Sequence, residues 1–110
     1  MGTSDEFGYT VTLDDRRATV EVRGELDAAT GPSLSDAVTA LTRDGLAHVV
    51  IDLNDVTFVD SKGLSSLLMS HRSATEKDMT LTVVNLQPPV ERLFRISGVD
   101  AVLLDRGPPG

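Results

Sequence analysis

The chain has 110 residues, of which 40% are hydrophobic, 25% charged and only 4% aromatic, enough for one domain built around a single aliphatic core and too few for a second. Seventeen acidic against ten basic residues leave a formal net charge of −7, which opposes broad contact with a nucleic-acid backbone or an anionic lipid surface. With no cysteine there is no disulfide, thiol nucleophile or thiolate metal site, in agreement with a reducing cytoplasm.

The opening "MGTSDEFG" lacks the basic and apolar segments of a signal peptide, and Glu6 stands where a myristoylation motif requires Ser or Thr. The apolar runs are far too short to span a membrane. A cytoplasmic protein is expected, with flexible ends at residues 1–7 and 106–110 and one domain over residues 8–105.

Tyr9 to Leu13 ("YTVTL") and Ala18 to Val22 ("ATVEV") alternate on either side of the polar "DDRR" and read as a hairpin of half-buried strands. From Asp27 the period changes. Leu34, Ala37, Val38 and Leu41 form the apolar stripe of a helix of about 14 residues, capped by Asp27 or Thr30, with Pro32 in its first turn and Gly45 beyond its end. "AHVVIDL" (Ala47 to Leu53) is a β-branched run of the kind expected for a central strand covered on both faces. Leu64, Leu67, Leu68 and His71 predict a second helix, continuing to about Lys77. "MTLTVV" (Met79 to Val84) predicts a strand, "PPVERLFRIS" a short helix ended at Gly98, and "AVLL" a last strand. The order ββαβαβαβ implies a mixed sheet of four to five strands with helices packed against it through right-handed crossovers.

The chemistry concentrates at "TFVDSKGLSSLL" (Thr57 to Leu68), where a serine follows an aspartate at a helix entrance. As a nucleophile Ser61 needs a base within hydrogen-bond reach. His71 lies ten residues along the same helix, about 15 Å away at 1.5 Å per residue, and His48 begins the preceding strand at its opposite end. No G-x-S-x-G elbow and no metal-ligand spacing is present, so a non-enzymatic role without cofactor or metal is expected. Capping by Asp60 or Ser61 explains part of the pattern. It does not explain Gly63, or the small polar cluster of Ser61, Gly63, Ser65 and Ser66, which suits close approach by another protein. A phosphate on Ser61 is well placed at a helix N-terminus. Phe58 and Val59 read as core anchors of the loop, His71 as a packed or half-exposed histidine, and Asp52 as the acceptor for a backbone donor at the strand's end.

"VRGELDAATGPSL" (Val22 to Leu34), "VVIDLNDVTFVDSKGLSSLL" (Val49 to Leu68) and "LFRISGVDAVL" together resemble a STAS domain, in particular a stand-alone bacterial anti-sigma factor antagonist. The resemblance implies partner switching. Such proteins bind, when unphosphorylated, an anti-sigma factor that is also a serine kinase and so release a sigma factor; phosphorylation by that kinase ends the complex and a PP2C-type phosphatase restores it. Ser61 falls on the phosphoacceptor of the D-S-[ST]-G loop, Asp60 and Gly63 on its aspartate and glycine, and Asp27 on the aspartate of the turn after the second strand. These residues, with Lys62, form the expected partner surface. Lys62 departs from the usual Ser or Thr, and its ammonium has three possible roles: pairing with a phosphoserine, pairing with Asp60, or altering the choice of kinase. An alternative from another class is a STAS module that binds a small ligand or serves as a scaffold subunit of a regulatory or lipid-transport complex.

Overall fold

The computed structural model describes residues 6–42 and 45–104. Two strands open it, β1 (Gly8–Asp14) and β2 (Arg17–Leu26), followed by α1 (Gly31–Leu41), β3 (His48–Val59), α2 (Ser61–Glu76), β4 (Thr80–Val84), α3 (Pro88–Ser97) and α4 (Asp100–Leu103). The sheet has the order β1-β2-β3-β4. β1 and β2 are antiparallel, whereas β3 is parallel to both β2 and β4. Asp15 makes the hairpin turn in the left-handed region at φ 58°, a conformation that Asp tolerates through its short polar side chain.

Ala18, Val20 and Val22 of β2, Val49, Ile51 and Leu53 of β3, and Leu81 and Val83 of β4 point to one face. They join Leu34 and Val38 of α1, Leu64, Leu67 and Ala74 of α2, Val90 and Phe94 of α3 and Leu103 of α4 in one cluster. The period of two in the strands and of about 3.6 in the helices therefore meet in a single layer of aliphatic packing. The other face is open, with Thr19, Val50, Asp52 and Thr82 half-buried.

Two expectations need correction. The run in β3 is not covered on both faces: Val50 and Asp52 are half-exposed between the buried Val49, Ile51 and Leu53, because the helices all contribute to the core on one side of the sheet. "AVLL" is not a strand either. Gly98 turns left-handed at φ 76° to end α3, and the next residues make one helical turn, α4. Only Leu103 of α4 reaches the core, and the strand contracts to a single parallel bridge between Val83 and Leu104. A four-residue apolar run has no resolvable period, so tertiary contact decides its form. The order is thus ββαβαβαα, with four strands.

Phe7 packs against the core, and its ring meets Tyr9 edge-on with centroids 6.4 Å apart. Of the expected end segments 1–7 and 106–110, residues 1–5 and 106–110 lie outside the described residues, as does residue 105. Elsewhere α2 ends at Glu76 with Lys77 at the cap position, as its stripe predicts, and α1 is shorter than predicted at 11 residues. No helix among the described residues is long and apolar enough to cross a membrane.

Candidate functional site

Since β2 and β3 are parallel neighbours, the loops that follow them emerge at the same end of the sheet. Asp27 and Ser61, separated by a helix and a strand in the sequence, are brought to one surface in this way. The backbone N–H of Asp60 donates to the carbonyl of Leu26 at 3.2 Å and ties the two loops together.

Two glycines set how closely they pack. A Cβ at Gly63 would lie 2.1 Å from the Leu26 carbonyl oxygen and 3.2 Å from the Asp27 nitrogen, and one at Gly31 would lie 2.1 Å from the Ser66 hydroxyl. The first turns of α1 and α2 and the end of β2 therefore meet where no side chain fits. This accounts for Gly63, whose presence near a helix start is otherwise unfavourable by up to ~1 kcal/mol relative to Ala. Gly63 and Ser66 are buried, while Ser61, Lys62 and Ser65 are exposed. The small polar cluster thus divides between a packing function and an open surface.

Asp60 is the N-cap of α2: its Oδ1 accepts from the Gly63 N–H at 2.9 Å. Ser61 is the first residue of the helix, its hydroxyl free to face outward. Replacing Asp60 with alanine removes this bond, and a loss of about 1 kcal/mol in unfolding free energy is expected, measurable by urea denaturation; recovery in Asp60→Ser would assign the loss to the cap. In the facing loop, Asp27 Oδ1 accepts from the N–H groups of Ala29 and Thr30 at 2.9 and 3.1 Å. Thr30 occupies the N-cap position of α1 but its side chain makes no capping bond; its hydroxyl donates to the Glu25 carbonyl at 2.8 Å. Both carboxylates are thus held by their own loops, as pre-set acceptors rather than mobile charges. Lys62 has no ion pair among the described residues, where the one salt bridge joins Arg95 to Glu91.

The strand that delivers Ser61 is irregular. β3 advances one residue more than β2 between the pairs Glu21↔Asp52 and Arg23↔Asp55, and again between Gly24↔Val56 and Glu25↔Phe58. These two bulges leave Val56 and Val59 buried and Phe58 47% exposed. Val59 anchors the loop as expected; Phe58 does not, because the second bulge places both Thr57 and Phe58 outside the core. Simple alternation carries no sign of a bulge, so the exposure of Phe58 is invisible to periodicity.

The other assignments stand close to expectation. His71 is half-buried on α2. Asp52 accepts from the Asn54 N–H at 2.8 Å and from Asn85 Nδ2 at 3.1 Å. His48 opens β3, a 12-residue strand that ends just before Asp60, which puts it at the far end of the strand from Ser61. No imidazole can serve Ser61 as a base.

A surface of this kind, formed by two loops at the carboxyl ends of parallel strands with an uncrowded hydroxyl at a helix start, defines a module for recognition rather than for intrinsic catalysis. The family model described as "Mlab, STAS domain" matches residues 9–105, and the chain belongs to the STAS domain family. It is 31% identical over 88 residues to the anti-sigma-B factor antagonist of Staphylococcus aureus, covering 80% of this chain and 82% of that protein. The Staphylococcus epidermidis protein of the same name is 31% identical over 90 residues, covering 82% of each. Among solved structures, an anti-sigma factor antagonist from Mycobacterium paratuberculosis superposes with a TM-score of 0.81 at 29% identity, covering 97% of this chain and 92% of that one. The unphosphorylated antagonist SpoIIAA shares the fold at a TM-score of 0.76 and 18% identity, over 91% of this chain and 89% of its own.

Proposed function

We propose that the protein is a cytoplasmic, non-enzymatic anti-sigma factor antagonist whose binding is gated at Ser61. Unphosphorylated, it binds an anti-sigma factor that is also a serine kinase and thereby frees a sigma factor. The kinase transfers the γ-phosphoryl group of ATP to the Ser61 hydroxyl: the Oγ–P bond forms, the hydroxyl proton is lost and ADP departs. The modified protein no longer binds, and a PP2C-type phosphatase restores it by hydrolysis. The observation that carries this reading is the exposed Ser61 hydroxyl at the first position of α2, in a chain 31% identical to an anti-sigma-B factor antagonist.

Physically the site suits a switch. The first-turn N–H groups and the helix dipole favour an anion, and an outward phosphate displaces nothing in the core. Asp27, Asp60, Ser61 and Lys62 compose the contacted surface, and Gly63 acts by letting its two loops approach. Incubation with purified anti-sigma factors and ATP, followed by mass spectrometry, tests the assignment; phosphate on another residue with Ser61 unmodified would reject it.

Lys62 is expected to moderate the switch, because an unpaired ammonium next to the acceptor offsets part of the phosphate's charge. An exposed pair of this kind is worth about 0.2–1 kcal/mol. Lys62→Thr should therefore deepen the loss of affinity caused by phosphorylation by roughly two- to fivefold, an effect that shrinks in high salt and can be read by titration calorimetry of both proteins at two ionic strengths.

The ligand-binding alternative is less well supported. The cleft lined by Arg17, His48, Val50, Thr80, Thr82 and Val84 runs over the open sheet face and is rimmed by polar groups, unlike the enclosed apolar pockets that hold small ligands.

A further inference from the structure

We infer that Phe58 is an apolar anchor for the anti-sigma partner, set on the open sheet face three residues before Ser61, and that the carboxylates of the two segments meeting there select a partner surface on which an apolar pocket is bordered by Arg or Lys. This rests on the function proposed above and names the contact that supplies its affinity.

The position of Phe58 is constructed. The second bulge of β3 inserts one residue opposite the Gly24–Glu25 step, with Gly24 in the left-handed region at φ 97°. As a result Phe58 lies across from the exposed Glu25 while its neighbours Val56 and Val59 stay in the core. Bulges next to binding sites commonly re-aim a side chain in this manner. The ring stands three residues before the phosphoacceptor, on a strand end held by ladder pairing and by the Asp60–Leu26 backbone bond, so a partner gains its burial with little ordering cost.

Its surroundings state the chemistry of the occupant. The two segments that meet here, Glu25 to Thr30 and Phe58 to Leu64, carry Glu25, Asp27 and Asp60 against Lys62 as the only cation. The nearest arginine on the same face, Arg23, directs its guanidinium over Gly8 of β1, away from Phe58. An aromatic ring with a charged rim is the composition of a binding hot spot, and the sign of the rim calls for a cationic partner. Apolar exposure alone is not the criterion, because Ile96 is 77% exposed in the last turn of α3, away from these loops.

The test is titration calorimetry of the unphosphorylated protein against purified anti-sigma factors of the source organism, with Phe58→Ala, Ile96→Ala and Glu25→Lys compared to the wild type. Phe58→Ala should weaken binding at least about tenfold, Ile96→Ala less than about twofold, and Glu25→Lys should weaken binding and flatten its salt dependence in titrations at two ionic strengths. A Phe58→Ala affinity within twofold of the wild type, or an equal loss in Ile96→Ala, overturns the inference. So that a folding defect cannot mask the result, the photo-reactive p-benzoyl-phenylalanine is also placed at position 58, where it keeps the ring and should cross-link to the bound anti-sigma factor; binding without cross-linking overturns it too. If the wild type binds none of the anti-sigma factors, the proposed function itself fails, and this inference with it.

Discussion

Phosphorylation of Ser61, or its replacement by aspartate, is expected to weaken binding to the anti-sigma factor by more than about a hundredfold while the thermal midpoint moves by less than about 2 °C. To transfer a phosphoryl group the kinase must bring its nucleotide phosphates up to the Ser61 hydroxyl, so the modified side chain faces the anionic ADP it has just produced and stands beside Asp60. In free solution water screens these like charges. In the closed interface, at an effective dielectric near 20, each pair of unit charges ~5 Å apart costs roughly 3 kcal/mol, which is more than two decades in affinity. Shedding the hydration of a further dianion adds to the penalty. The fold is indifferent because Ser61 is exposed and its hydroxyl serves no bond in the core. Ser61→Ala should bind like the wild type and resist phosphorylation. Calorimetric binding with parallel thermal melts gives the answer, and Ser61→Asp binding at wild-type strength would rule the switch out.

Gly63→Ala is expected to damage the protein through its fold, by about 3 kcal/mol. The added methyl would sit 2.1 Å from the carbonyl oxygen and 2.6 Å from the carbonyl carbon of Leu26. Neither side can yield cheaply: Leu26 is paired with Val59 at the end of the β2–β3 ladder, and its carbonyl accepts from Asp60. α2 must therefore lift away from the sheet, which opens the contacts of Leu64 and Leu67 with the core. Overpacking of side chains costs 1–3 kcal/mol, and a clash with backbone belongs at the upper end. For a chain of this size the midpoint should fall by roughly 10 °C. Gly31→Ala offers the contrast, because the obstacle there is the Ser66 side chain, and Ser66→Gly should recover part of its smaller loss. Scanning calorimetry distinguishes the cases; a Gly63→Ala midpoint within about 3 °C of the wild type would show that the two loops are not in tight contact. The pair of experiments also separates two ways of losing function at positions two residues apart, charge at Ser61 and sterics at Gly63.

Most elements were readable because each repeats its period long enough to be unambiguous. The stripe from Leu64 to His71 marks α2, the alternation from Ala18 to Val22 marks β2, and Asp60 before Ser61 marks a helix start. Reading failed where a local pattern was too short or interrupted. "AVLL" is equally compatible with a strand and a turn of helix, and the bulged segment Asn54 to Phe58 breaks the alternation from which burial is inferred. In both, the outcome depended on what lay opposite, Val83 in one case and Gly24 with Glu25 in the other.

By itself the sequence determined the class of fold, the place of the hydroxyl at a helix start with Asp60 or Ser61 as its cap, and the acidic character of the surface, since these follow from local period, capping chemistry and net charge. Only the tertiary structure decided how Asp27 and Ser61 come to share one surface, that Gly63 is demanded by the Leu26 carbonyl, and that Phe58 faces outward. Those three depend on parallel pairing and register between β2 and β3, which bring distant segments within van der Waals contact, and no local propensity encodes such a distance.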